Sequence, residues 1–256
     1  MSIWQSIILG LIQGVTEFLP ISSSGHLIIV GRAIGVDYMP LGFELLTHLA
    51  TLLAVIIAMR STVWGLVKKP FQKTNLLIIV ATVPTVVMFL VFHNIFEDAF
   101  DGRWLAFCFL ITAIFLFVSG IVKRKNERQE LGVLDAAIIG IMQGFAGMPG
   151  ISRSGITISS GKLLGLNQKT AANFSFLIAI PIILGASIWQ FVSGGFSFDV
   201  TVWVAITGFI AAFVSGFIVV IFFLKLFSRM SLNGFVVYLV ALSLFMVLND
   251  FVLFLF

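Results

Sequence analysis

The sequence predicts an all-α polytopic membrane protein, with six transmembrane helices and two re-entrant helical hairpins arranged as an inverted-topology repeat. Three observations predict it. Of 256 residues, 60% are hydrophobic and only 10% charged, where a soluble domain carries about 25% charged residues. Mean hydropathy is +1.15, so lipid must be the solvent for most of the chain. Six apolar runs are long enough to cross a bilayer. Two further apolar stretches, interrupted by Gly, Pro and Ser, superimpose on each other at an offset of 130 residues.

The six runs fall near 42–60, 76–93, 104–122, 170–192, 201–224 and 233–250, each within the roughly 17–25 residues that a span needs. The net charge of +4 sits in short loops and is no nucleic-acid footprint. Arg60, Lys68, Lys69 and Lys73 fill one loop. Lys123, Arg124, Lys125 and Arg128 outweigh Glu127 and Glu130 in another, and Lys225 and Arg229 mark a third. The opposite loops, 94–103 and 193–200, hold Glu97, Asp98, Asp101 and Asp199 against Arg103 alone. The positive-inside rule places the basic loops in the cytoplasm. Six crossings then put both termini outside. No Lys or Arg precedes Arg32, so no cleaved signal peptide is expected. Cys108 stands alone and carries no intrachain disulfide.

The broken stretches, 3–35 and 133–165, are the two copies. Gly10, Gln13 and Gly14 face Gly140, Gln143 and Gly144. Ile21-Ser22-Ser23-Ser24-Gly25 faces Ile151-Ser152-Arg153-Ser154-Gly155, and Gly31 and Gly35 face Gly161 and Gly165. The expected organisation is one membrane domain with repeat 1 over about 1–122 and repeat 2 over about 131–256. The first copy begins and ends outside, whereas the second follows a cytoplasmic loop, so the copies are inverted as in transporter folds. Irregular backbone at membrane depth survives only where protein buries it or a wet cavity borders it. The two tips are therefore expected to meet around one cavity.

Gln13 and Glu17 are four residues apart and share a helical face. Glu17 lies in an apolar setting, where a carboxylate is costly and marks a functional site by default. The competing reading is a glutamate at a helix end among headgroups. Pro20 stops the first helix, and Ser22, Ser23 and Ser24 before Gly25 form a helix N-terminus with open N–H groups, a ready anion site. His26 follows Ser23 by three residues, so hydroxyl and imidazole can share a face as an activated nucleophile. The plain alternative is a Ser-rich cap with an interfacial histidine. The second copy carries Arg153 where the first carries Ser23. An arginine at a re-entrant tip suits a bound phosphate or neutralises Glu17. Glu44 and His48 extend the site or sit at the interface, and both readings stand. His93 reads as interfacial, and Pro84 and Pro181 as kinks. No P-loop, zinc-spaced His/Cys set or aromatic-basic nucleic-acid patch is present, so no metal ligands are assigned.

Gln13-x-x-x-Glu17, Pro20-Ile21-Ser22-Ser23-Ser24-Gly25-His26 and Pro149-Gly150-Ile151-Ser152-Arg153-Ser154-Gly155-x-Thr157 together resemble the two signature regions of the undecaprenyl-diphosphate phosphatase family, the bacitracin-resistance type. The resemblance covers essentially the whole chain. That family allows Glu or Gln at the first position, and Gln13 leaves Glu17 as the single carboxylate of this motif. The resemblance implies removal of the terminal phosphate from a C55 isoprenoid diphosphate, which recycles the carrier lipid for peptidoglycan synthesis in the bacterial cell (inner) membrane. It implies Ser23 as nucleophile, His26 and Glu17 as proton-handling partners and Arg153 as phosphate clamp. Ser22, Ser24, Ser152, Ser154, Thr157 and Gln13 would bind the substrate. It further implies a divalent cation, Mg or Ca, bridged by the substrate, and a site opening to the outer face. A polyprenyl diphosphate lipid and the bilayer are the expected partners. Gly-x-x-x-Gly pairs such as Gly10/Gly14 permit close packing within the chain or in a homodimer. A lipid carrier without chemistry is the rival reading, because inverted broken helices also build transporters.

Overall fold

The computed structural model describes residues 1–122, 127–192 and 200–249. Eleven α-helices run through the described residues: α1 Ile3–Phe18, α2 Ser23–Ala33, α3 Leu41–Ala58, α4 Arg60–Lys68, α5 Lys73–Asp98, α6 Leu105–Ile121, α7 Val133–Gly144, α8 Arg153–Leu163, α9 Gln168–Val192, α10 Val202–Leu226 and α11 Asn233–Leu248. Among them, α3, α5, α9 and α10 are long and apolar enough to cross a membrane. α6 and α11, with 17 and 16 residues, are shorter. At 1.5 Å per residue they reach about 25 Å, just under the hydrocarbon thickness. The chain is an all-helical, multi-pass membrane protein.

The six apolar runs coincide to within about five residues with α3, α5, α6, α9, α10 and α11. The predicted loop charges Lys123, Arg124, Lys125 and Asp199, and the end of the last run at Asp250, lie outside the described residues. The structure differs in two loops. The basic segment after Arg60 folds as the short helix α4, over which Lys68 packs its ammonium on Trp64. α5 continues past its apolar run through Asp98, where His93 and Glu97, one turn apart, pair at 3.4 Å. Pro84 and Pro181 lie inside α5 and α9.

Each broken stretch is a helix, a short extended break and a second helix. Ser2 opens α1 with a reciprocal cap: Gln5 N–H donates to Ser2 Oγ and Ser2 N–H to Gln5 Oε1. Leu19 turns extended before Pro20, which ends the helix. Ser22 and Ser152 are the N-caps of α2 and α8, each accepting from the glycine N–H three residues on. The first helix of each stretch packs on the long helix of the other half. In α1, Gly10 lies against Gly208 and Ala211 of α10, and Gly14 against Ser215 and Gly216. In α7, Gly140 lies against the Ala81 main chain of α5 and Gly144 against Met88. No side chain larger than hydrogen fits at these crossings. The Gly10/Gly14 pair is thus used inside the chain.

The two breaks interlock. Gly150 N–H donates to Ser22 Oγ at 3.1 Å, and Ser154 Oγ to the Leu19 carbonyl at 2.8 Å. Thr112 of α6 ties the second break down, donating to the Gly150 carbonyl and accepting from Ser152 N–H. A Cβ at Gly25 would strike the Phe109 ring and come within 3.1 Å of Gly150 Cα. Phe18, Phe109 and Phe176 are fully buried around this junction.

Candidate active site

Glu17 closes α1, Ser23 opens α2 and Arg153 opens α8, so the interlocked breaks bring the three together. Ser23 Oγ donates to Glu17 Oε2 at 2.6 Å, and Arg153 Nη2 donates to Glu17 Oε1 at 2.5 Å. Gln13, one turn back along α1, donates from Nε2 to Glu17 Oε2 at 3.0 Å. Every lone-pair direction a buried carboxylate most needs is therefore engaged by residues from both halves of the chain. The second guanidinium nitrogen of Arg153, Nη1, is buried and has no partner.

These groups border a cavity of about 410 Å³. Glu17, Ser22, Ser23, Ser24, Ser152 and Arg153 form its polar end, so the N-termini of α2 and α8 both stand at its wall. Val86, Phe89 and Leu90 of α5 and Pro181, Ile182 and Trp189 of α9 form an apolar side. A charged end joined to an apolar slot matches an amphiphile with an anionic head.

The expected pairing of Ser23 with His26 does not form. His26 Nδ1 bonds the Ser22 carbonyl at 2.7 Å, and Nε2 bonds the Tyr238 hydroxyl of α11 at 2.6 Å. Its ring stacks on Tyr238 and meets Phe109 edge-on, away from the cavity. The physical reason is a carbonyl one turn back and a phenol from a distant span, which together satisfy both ring nitrogens. Thr157 also faces elsewhere: its hydroxyl bonds the Arg153 carbonyl and Ser175 Oγ, tying α8 to α9. Ser154 Oγ is turned to the first break, whereas Ser22, Ser24 and Ser152 border the cavity.

The imidazole that does face Glu17 is His48. Its Nε2 lies 3.9 Å from Glu17 Oε2 and its Nδ1 bonds the Glu44 carbonyl at 2.9 Å. Of the two readings for Glu44 and His48, the cavity one holds, since both side chains line it. Tyr238 was invisible to motif reading, and its only signal is its rarity, one of two tyrosines in the chain. Gln143 also borders the cavity, donating from Nε2 to Thr85 Oγ1 at 3.0 Å. Among the described residues no group of three or more His, Cys, Asp or Glu side chains is placed to hold a metal ion.

Residues 6–245 match the family model described as bacitracin resistance protein BacA. The chain belongs to the BacA family. Three similar proteins carry the name undecaprenyl-diphosphatase. The undecaprenyl-diphosphatase of Carboxydothermus hydrogenoformans is 40% identical over 246 residues, covering 93% of this chain and 94% of that protein. Undecaprenyl-diphosphatase 4 of Bacillus thuringiensis subsp. konkukian is 41% identical, covering 94% of each. The undecaprenyl-diphosphatase of Treponema denticola is 40% identical, covering 95% of this chain and 96% of that protein. The match to the BacA family therefore spans both broken stretches and the helices between and after them.

Proposed function

We propose that this chain is an undecaprenyl-diphosphate phosphatase: it hydrolyses a C55 isoprenoid diphosphate to the monophosphate and inorganic phosphate within the bacterial inner membrane. The observation that carries the reading is the Glu17–Ser23–Arg153 cluster at two helix N-termini, with one guanidinium nitrogen left without a partner. A terminal phosphate accepts from that nitrogen and from the open N–H groups of α2 and α8, which stabilise charge where phosphoryl transfer develops it. The apolar slot between α5 and α9 takes the first isoprene units, and the remaining tail stays in lipid.

Ser23 is the nucleophile. Its proton passes to Glu17 as Oγ bonds the terminal phosphorus. The P–O bond to the bridging oxygen breaks, and Glu17 hands the proton to the departing lipid monophosphate. Water then attacks the phosphoseryl phosphorus, the P–Oγ bond breaks, and the water proton returns to Ser23 through Glu17. Arg153 holds both the phosphate and the carboxylate. Glu44, which lines the cavity, would be the carboxylate to hold a divalent cation, Mg or Ca, arriving with the substrate, and the ion would neutralise phosphate charge. The oxygens of Glu17 are already engaged by Arg153, Ser23 and Gln13.

The topology proposed is six spans with α1–α2 and α7–α8 as oppositely inserted hairpins, repeat 1 over about 1–122 and repeat 2 over about 131–256. The exchanged packing, α1 on α10 and α7 on α5, supports it. Lys73 pairs with Glu130 and Arg128 reaches the Leu164 carbonyl, which supports placing the basic loops 60–73 and 123–130 on one side. Arg32 reaches the Asp101 carbonyl on the other. Phe100, just past α5 and beside Asp98 and Asp101, and Trp189, near the end of α9, border the cavity, which supports an opening on the outer face.

The test is phosphate release from undecaprenyl diphosphate by protein purified in detergent. Ser23→Ala is expected to lose at least about 10³-fold in kcat. Arg153→Lys is expected to lose about 10²–10³-fold in kcat/KM. The lysine variant is the cleaner one, because Arg153→Ala strands a buried carboxylate at a cost of about 3–5 kcal/mol. Equal rates for wild type and both variants would end the hydrolase reading.

A further inference from the structure

His48 stands outside the serine–glutamate–arginine cluster and outside both signature motifs, yet it is the one imidazole on the cavity wall. Its Nδ1 faces the Glu44 main-chain carbonyl at 2.9 Å. A carbonyl oxygen only accepts, so Nδ1 carries the proton of the neutral ring and Nε2 is left as an acceptor. That acceptor and Glu17 Oε2, a second acceptor, are 3.9 Å apart. Two acceptors at this separation do not bond each other. Once Ser23 is phosphorylated its hydroxyl no longer donates to Oε2, and a single water donating to both acceptors with legs of about 2.8 Å spans the gap at close to a right angle, within the range a water molecule's two O–H bonds can serve. With both hydrogens engaged, its lone pairs turn away from the two acceptors, and Ser23 lines the same cavity as His48 and Glu17.

We propose that His48 and Glu17 jointly hold the water that attacks phosphorus, with His48 Nε2 accepting one of its hydrogen bonds. The proposal rests on the hydrolase reading and deepens it. In the hydrolytic step the water oxygen bonds the phosphoseryl phosphorus and the P–Oγ bond of Ser23 breaks. The proton facing Glu17 passes to Oε2 and on to Ser23 Oγ. The proton facing His48 stays on the oxygen and leaves with inorganic phosphate. His48 orients the nucleophile and takes no net proton. Histidine is needed there only as an acceptor on a fixed stem, whereas His26, with both nitrogens occupied, cannot serve.

The experiment compares wild type, His48→Leu and His48→Gln in detergent, using undecaprenyl diphosphate labelled in its terminal phosphate. His48→Leu is expected to lower kcat by about 10²-fold, the scale of one lost polar contact in a preorganised site, with KM falling by a similar factor and kcat/KM within about threefold, because only the second step is slowed. The first step survives, so acid-quenched His48→Leu retains label on Ser23 approaching one per chain, and wild type retains little. His48→Gln, whose amide oxygen also accepts, restores turnover to within about fivefold of wild type. Unchanged turnover in His48→Leu overturns the proposal. So does slow turnover without trapped label, or a glutamine variant as slow as the leucine one. A wild type that releases no phosphate sinks the hydrolase reading and this proposal together; a working wild type beside an unaffected His48→Leu sinks this proposal alone.

Discussion

The two breaks share a backbone plan and differ in what they carry. Ser22 and Ser152 cap their helices by the same bond to a glycine three residues on. At the position that follows, one break presents a hydroxyl and the other a guanidinium. The backbone also differs: Ser22 sits at φ +72, the one non-glycine residue in the left-handed region among the described residues, whereas Ser152 is extended at φ −77. A left-handed serine costs on the order of 1 kcal/mol or more and persists only where its surroundings hold it. Here Gly150 N–H bonds its Oγ, so the second break holds the first in its strained shape. The comparison teaches that a duplicated scaffold supplies two similar helix N-termini, while the chemistry comes from dividing acid, hydroxyl and guanidinium between them.

The comparison can be broken at the glycine crossings first, where the largest effect is expected. Gly10→Leu drives a side chain into the Gly208 carbonyl, and Gly140→Leu drives one into Ala81. Both are expected to abolish recovery of monodisperse protein on size-exclusion chromatography. If one is tolerated and the other is not, the two halves are not packed alike. A smaller effect is expected on the side that carries no cavity group. Tyr238→Phe removes one hydrogen bond to His26, worth about 1 kcal/mol. It should lower Tm by about 2–4 °C and leave kcat within about threefold. A large kcat loss at unchanged Tm would return His26 to the chemistry.

The smallest effect belongs to the loop that Arg32 grips. The Arg103 hydrogen bond holds the Asp101 carboxyl below its usual value, against a weaker upward push from burial. A carboxyl lowered on folding stabilises the fold above its ordinary value of 3.8 and loses that contribution as pH falls through the lowered one. The pair is exposed and screened. Asp101→Asn should therefore lower Tm at pH 7 by no more than about 2 °C, and the difference from wild type should shrink as pH falls below 3.8 and vanish once pH is below the lowered value. A difference that grows on acidification would reverse the sign.

The four long apolar helices were legible because lipid imposes one rule on every helix that crosses it, and runs such as 42–60 and 201–224 obey it without help from the rest of the chain. Glu17, Ser23 and Arg153 were legible because a charge or a broken helix in an apolar run has few structural excuses. His26 was misplaced for a tertiary reason. Spacing of three from Ser23 allows a shared face, but Tyr238 lies 212 positions away and draws the ring to the opposite side. His48 was visible beside Glu44, yet its distance to Glu17 depends on how α3 packs, which no local pattern encodes.

The seat of Gly10 and Gly14 on α10 also sets an order of events. Helix α1, made first on the ribosome, finds its resting place only after residue 216 has been made, so its narrow glycine face waits through most of translation without the helix that covers it. Assembly of the reactive centre is then a late act of the whole chain. Any chain shortened before α10 should hold its serine and its carboxylate without the helix that seats Gly10 and Gly14.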